Sequence, residues 1–319
     1  MVDKIVVRVA LATTLVAGLA APGNASPFFF STGNTDGKMA AASRPDSAPT
    51  GTPSNEIETG DDFVVPSDTA SITSATFIGL LANGATTANI GQVTAQIYRV
   101  FPNDSNVGRT SGPPTFSTPQ VPTRVNSPSD VEFTDRSTIN SNLSFTTTVL
   151  SNSFLAANSI LPGGIHPMPN QATGGNGSVM GQEVRFNLTF TIPINLPADH
   201  YFFVPQVETG NGEFLWLSAP RPIVAPGTQF PPGFTDLQGW TRDAALEPDW
   251  LRVGTDIVDT VNVTTAPTFN FTFSLTGDVV PLPATLPLFA TGLGALGLLG
   301  WRRKRKALEM HQSIIESAE

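Results

Sequence analysis

"EVRFNLTFTI", residues 183–192, decides the fold class. Val184, Phe186, Leu188, Phe190 and Ile192 fall on one side of an extended chain, and Arg185, Asn187, Thr189 and Thr191 on the other. A period of two is the signature of a half-buried β-strand, because successive side chains point to opposite faces of a sheet. Outward from it the pattern recurs. In "TFNFTFSLTG", residues 268–277, Phe269, Phe271, Phe273 and Leu275 alternate with Asn270, Thr272, Ser274 and Thr276. "LSFTTTVL" (143–150) repeats it more weakly, and "SATFIGLL", "GQVTAQIYRVF", "HYFFVPQVE" and "EFLWLSA" are further strand candidates, with short pieces near 220–225 and 250–258. No stretch of the body carries the apolar spacing of a long amphipathic helix. The expectation is therefore an all-β chain, an antiparallel β-sandwich or jelly-roll-like body with long loops over residues 63–277. Residues 102–130 and "PGGIHPMPNQATGGNGSVMGQ" (162–182) are rich in Pro, Gly, Ser and Thr and read as those loops.

Composition narrows the chemistry. Formal charge is −9, and Lys4, Arg8 and the cluster Arg302 to Lys306 lie at the two ends, so the body between is more acidic still, with Lys38 its one lysine. Phosphate affinity rests on Lys and Arg, so no nucleic-acid partner is expected. There are no cysteines, which excludes disulfides, thiolate catalysis and Cys-based metal sites. Residues 31–60 hold almost no large apolar side chains and cannot bury enough surface to offset ordering entropy, so residues 26–62 read as a flexible leader.

The two ends carry the addresses. "MVDKIVVRVALATTLVAGLAAPGNAS" places Lys4 and Arg8 before an apolar run from Val9 to Ala21, then the small residues Gly23 and Ala25. That is a secretory signal peptide over residues 1–25, cut between Ala25 and Ser26, and it implies a Sec-type export machinery and signal peptidase as partners. At the other end "VVPLPATLPLFATGLGALGLLGWRRKRKA", residues 279–307, has an uncharged stretch from Pro281 to Trp301. As a helix rising about 1.5 Å per residue it matches the thickness of a bilayer's hydrocarbon core, with the transmembrane part expected at about 284–301. Arg302, Arg303, Lys304, Arg305 and Lys306 form a stop-transfer cluster favouring the cytoplasmic side, followed by a tail, residues 307–319. Both ends thus place the body outside the inner membrane.

Val280, Pro281, Leu282, Pro283 and Ala284, then a glycine-rich apolar segment and "WRRKRK", resemble the PEP-CTERM sorting signal of Gram-negative bacteria over about residues 279–306, within a C-terminal segment set at 278–306. Leu282 stands where the commonest form of that signal has Glu, a VPLPA variant. The resemblance implies processing by an exosortase, a membrane-embedded cysteine protease or transpeptidase, in bacteria that make extracellular polysaccharide, and hence a cell-surface or biofilm-matrix destination after a transient stay at the inner membrane. Two other readings stay open. Leu282 to Thr285 match the start of a sortase LPxTG signal, though Leu286 replaces its Gly, and the segment also suits a permanent tail anchor.

Within the body, chemistry is sparse. His166 and His200 are its two histidines, and no triad, Walker loop, dinucleotide fingerprint or HExxH motif occurs, so a non-catalytic structural or binding module is expected. An extracellular carbohydrate-active enzyme on the same scaffold is the alternative. No cofactor is required; Asp61, Asp62 and Asp68, or Asp243, Glu247 and Asp249, are candidate calcium ligands. Trp240 and Trp250 are a candidate carbohydrate platform for extracellular polysaccharide, against the reading in which they, with Trp216, pack the core.

Overall fold

The structure, a computed structural model, describes residues 26–46, 55–105, 125–165, 173–246, 250–259 and 266–280, together with Gly297 and Trp301. Residues Ala25–Val280 form one compact unit. Among the described residues it is all-β, with thirteen strands: β1 (Ser26–Ser31), β2 (Met39–Ala42), β3 (Ile57–Ala82), β4 (Ile90–Arg99), β5 (Thr134–Ser137), β6 (Leu143–Ala156), β7 (Asn158–Ile160), β8 (Val179–Thr209), β9 (Glu213–Ala219), β10 (Trp240–Asp243), β11 (Leu251–Arg252), β12 (Asn270–Phe271) and β13 (Phe273–Val280).

β3 and β8, of 26 and 31 residues, are the spine, far longer than the usual strand of about 5–6 residues. They pair antiparallel from Asp61↔Phe203 to Ala82↔Gly181, with irregularities between Val65 and Thr69 and between Ile72 and Ser74. The first lies at Pro66, where the chain loses a backbone donor, and at Asp68, whose φ of 56° is left-handed. The second falls opposite Pro193, where Arg136 holds the carbonyls of Ile192 and Pro193 at 2.7 and 2.8 Å. These breaks let each long strand serve two parts of the sheet. One half of β8 pairs with β6, and the other with β4, which pairs in turn with β5. β3 pairs on its other side successively with β10, β13 and β9.

The alternation in residues 183–192 reaches the core as expected up to Phe190. Val184, Phe186, Leu188 and Phe190 are buried, but Ile192 is 59% exposed because it sits in the slipped segment. In the 268–277 stretch Phe269, Phe271, Phe273 and Leu275 are buried, yet Asn270 and Thr272 are buried too. The chain changes neighbours there: β12 pairs with β9, and β13 with β3 and β1. Thr272, between them, satisfies the gap by donating its hydroxyl to the Ile78 or Leu217 carbonyl, each 3.0 Å away.

Rings that lie far apart along the sheet meet face to face or edge to face. Phe30 of β1 lies 6.2 Å from Phe63 of β3, Phe203 of β8 lies 5.3 Å from Phe273 of β13, and Trp216 stacks on Phe271 at 5.0 Å. These contacts gather into one large aromatic-rich core, and a smaller second cluster holds Tyr98, Phe202, Val204, Leu237, Trp240 and Trp250.

Three expectations need correction. Residues 26–62 are not a loose leader where described: β1 pairs with β13, β2 lies between β9 and β7, and β3 already begins at Ile57. Met39, Ala40, Ala41 and Ala42 are fully buried and Phe28 and Phe30 are buried too, so the segment is held by two rings, one thioether and three alanines. Pairing is mixed rather than wholly antiparallel, since β2 and β7 run parallel. Beyond the two-residue β11, the piece near 250–258 is a single π-helical turn, Val253–Val258.

Candidate functional sites

The folded unit starts and finishes in one ladder. β1 runs antiparallel to β13 with Ser26 opposite Val279 and Ser31 opposite Ser274. Phe28 and Phe30 point into the core and Phe29 outward, as the period of two requires. Gly277 sits at a register break between Thr276 and Gly277, where a Cβ would come within 2.1 Å of the Ser71 carbonyl oxygen. Only glycine lets β13 pass β3 so closely and continue to Val280. The first residue after the expected signal cleavage, Ser26, and the first residue of the expected sorting motif, Val280, thus lie at the same end of neighbouring strands. Ala25, Pro281, Leu282, Pro283, Ala284 and the cluster Arg302, Arg303, Lys304, Arg305 and Lys306 lie outside the described residues. Gly297 and Trp301 are helical, and among the described residues no helix is long and apolar enough to cross a membrane.

The tryptophans do not form a platform. Trp240 and Trp250 are 2% and 1% exposed, so neither offers a face to a sugar ring. Trp240 pairs with Gly60 and Arg252, and packs with Tyr98, Phe202, Val204 and Leu237. Trp250 donates its indole N–H to the Ser129 carbonyl at 3.0 Å and meets Tyr98 edge-on at 5.5 Å. The Arg242 guanidinium lies 4.5 Å from the Trp250 ring centroid. Arg242 in turn pairs with Glu58, which also accepts the Tyr98 hydroxyl proton. Both charged partners are buried, which is tolerable because each is matched and hydrogen-bonded.

The first expected calcium trio is divided. Asp61 and Asp62 are buried on opposite faces of β3, while Asp68 is exposed at the break. Asp61 accepts the Phe271 N–H at 2.7 Å, and its other oxygen is buried without a partner. Asp62 accepts the Leu237 N–H at 3.1 Å and sits 2.6 Å from His200 Nε2. Burial, reinforced by Asp236, raises both carboxyls well above the usual range, and burial lowers His200 to about 4. Burial thus disfavours the charged forms of both partners in the Asp62–His200 contact. Of the second trio, Asp243 caps Ala245 N–H at 3.0 Å, and Glu247 and Asp249 lie outside the described residues. His166 does as well. Among the described residues no group of three His, Asp or Glu side chains is gathered closely enough to hold a metal ion.

One cavity was not anticipated. A polar well of about 250 Å³ opens over β4, β5 and β8. Its floor is a row across three strands: Gln206 opposite Thr94, and Thr94 opposite Ser137. Gln96, two residues along β4, faces the same way, opposite Asp135. Val93, Ala95 and Ile97 turn to the core, so this strand is buried on one side by apolar groups and on the other by amides. Glu56 bridges the amides, accepting from Gln206 at 2.9 Å and Gln96 at 3.3 Å. Burial, with Glu58 nearby, raises the Glu56 carboxyl, and burial with Asp135 and then Glu58 raises Glu132 at the rim. The signal was present in "GQVTAQI": alternate positions there are Gln, Thr and Gln, uncharged groups that suit a half-buried recess better than open solvent.

Compared with known proteins, the chain matches no family model, no curated protein and no solved structure.

Proposed function

We propose that this chain is an exported protein whose body is a non-catalytic binding or structural β-sandwich. In this reading the signal peptide is cut between Ala25 and Ser26, and the segment after Val280 holds the chain in the inner membrane. An exosortase-type enzyme then processes the VPLPA motif and leaves the body at the cell surface or in the polysaccharide matrix. The observation that carries it is the ladder joining Ser26 to Val279. A body tethered to one membrane through both ends needs those ends on the same side. Neighbouring antiparallel strands put them one rung apart, about 5 Å, with no chain routed around the body. The sandwich description rests on the ring contacts that join distant parts of the sheet, such as Phe203 with Phe273.

Mass spectrometry of both termini of the mature protein, in cells with and without the processing enzyme, tests it. The expected product begins at Ser26 and ends near Pro283. A mature chain that still carries "WRRKRK" would overturn the sorting reading.

A further inference from the structure

We propose that β6 is a dimerisation edge: Leu143 to Val149 pair antiparallel with the same residues of a second copy of this chain, about a two-fold axis at Thr146. The inference goes beyond the sorting reading and does not rest on it. Three observations converge.

The first is an open ladder. β6, 14 residues long, pairs with β8 alone among the described residues. The Thr191 N–H donates to the Asn142 carbonyl at 3.1 Å, and the register that sets Leu143 against Phe190 places these two residues opposite each other. In an antiparallel pair the backbone groups of successive residues point to alternate sides. Ser144, Thr146 and Thr148 therefore use theirs on β8. Leu143, Phe145, Thr147 and Val149 turn theirs to the other side, where no hydrogen bond among the described residues reaches them.

The second is the lack of a guard. Natural sheets blunt exposed edges with short strands, proline, charge or bulges. The other edges have such devices: β5 is four residues long and carries Asp135 and Arg136, β7 is three residues long, and β11 and β12 are two each. β1 holds Pro27, and its Ser31 is bonded through both N–H and carbonyl to Thr228. "LSFTTTVLSNSFLA" has no proline, no glycine and no ionisable side chain. Its bulges come only after Val149, which leaves Leu143 to Val149 in unbroken register. In a chain of formal charge −9, a charge-free edge lets two copies meet without like charges opposed.

The third is self-complementarity. With the axis at Thr146, Leu143 meets the second copy's Val149, Phe145 meets its Thr147, Ser144 meets its Thr148, and Thr146 meets itself. Hydroxyls thus face hydroxyls on the solvent side, and the apolar groups gather on the core side. Val149 is 43% exposed and Phe145 packs half-buried against the core, so a second strand covers what the edge leaves open. Moving the axis to Thr147 sets Ser144 against Leu150 and carries the ladder into the bulge. Any extended strand satisfies the backbone; the match of each side chain to its own symmetry mate selects a second copy. The outward residues exchange about eight hydrogen bonds, within the usual 10 ± 5 of a specific interface, over little apolar area, so the dimer is a reversible one. A two-fold contact uses up both edges, and assembly stops at two.

The chain has no cysteine, so single substitutions read the register directly. In the full chain in detergent under mild oxidation, Thr146→Cys is expected to form a disulfide-linked dimer, because facing residues that do not bond each other's backbone bring their Cα atoms to about 4.5 Å. Ser144→Cys and Thr148→Cys should each give no disulfide alone and should cross-link when mixed. Thr146→Lys, on the solvent face, should weaken self-association in sedimentation equilibrium by about tenfold or more, with the thermal midpoint of the dilute chain unchanged. Hydrogen exchange at the Phe145, Thr147 and Val149 amides should slow as protein concentration rises, while Ser144, Thr146 and Thr148 stay as they are. The proposal is overturned if the chain is monomeric at every concentration, if Thr146→Cys does not cross-link, or if Ser144→Cys cross-links to itself. It is overturned if Thr146→Lys associates as tightly as the parent chain, which would place the contact elsewhere, or if assembly grows beyond two copies. Outward amides already protected in the monomer also overturn it, since another segment of the same chain then covers the edge. So does a synthetic Thr–Val heptapeptide that slows those amides while the chain stays monomeric. Retention of "WRRKRK" in the mature protein would leave each of these outcomes as it stands.

Discussion

Ser26 and Val279 are partners in the β1–β13 ladder, so the strand that enters the body and the strand that leaves it stabilise each other. Phe28 and Phe30 anchor this edge, and Phe30 touches Phe63, Phe230 and Phe273. Phe30→Ala is expected to cost about 3–5 kcal/mol, the range for a buried Phe truncated to Ala. Urea denaturation followed by tryptophan fluorescence reads it directly. A change within error of zero would mean that β1 contributes nothing to the body and the ladder is incidental.

Gly277 should tolerate no side chain. Gly277→Ala places a Cβ against the backbone of Ser71 and Ile72, neither of which is the far end of a flexible group. The expected loss is about 1–3 kcal/mol, the usual cost of overpacking. Hydrogen exchange at β13 amides should rise more than at β4, because the strain is local to the β3–β13 ladder.

Trp250→Ala should unfold or severely loosen the protein, by about 3–5 kcal/mol, rather than remove a ligand contact. Circular dichroism melting and a glycan-binding screen on the same variant separate the two. A folded variant of unchanged stability that loses only glycan binding would contradict the buried position.

Arg242→Met leaves Glu58 buried beside Tyr98 without its counter-charge, for a loss of about 3–5 kcal/mol. Adding Glu58→Gln should restore part of it, because the stranded charge rather than the missing contact dominates the cost. A double-mutant cycle by chemical denaturation gives the coupling.

Stability should decline as pH rises above the ordinary carboxylate range. Glu56, Asp61, Asp62, Glu132, Glu183, Glu213 and Asp236 all have raised folded-state pKa values, so the folded protein holds more protons than the unfolded chain above 3.8 to 4.5. Each such group adds stability that is full below its unfolded value and is lost as pH climbs through the folded one. His200 opposes them, since its fall from 6.5 to about 4 makes acid destabilising in that window. One imidazole against seven carboxyls leaves the balance with the acids. The melting temperature is expected to be higher at about pH 5 than at about pH 8, and the reverse order would show that these carboxyls are ionised at little cost.

How far the sequence carried this reading depends on the residue. The alternations at 183–192 and 268–277 located β8 and the β12–β13 run because bulky apolar groups recur every second position. Proline hid the length of β8: Pro193 and Pro197 read as breaks between two strands, yet the chain stays in the ladder by slipping against β3. Ala40 to Ala42 were illegible for the opposite reason, being too small to register as core although they are fully buried. Trp240 and Trp250 look the same in sequence whether they face solvent or the interior; only the arrival of Tyr98, Ser129 and Arg242 from distant segments decides it. The well escaped because the groups that close around Thr94 and Gln96, Glu56 and the residues of β5, arrive from distant segments.

The meeting of the two ends also has a mechanical meaning. Tension applied between Ser26 and Val279 loads one rung of the ladder at a time, the geometry in which paired strands peel apart, rather than all rungs together in shear. A body pulled through both tethers would open like a zipper from its outermost rung. In the sorting reading proposed above, cutting either tether would remove that load.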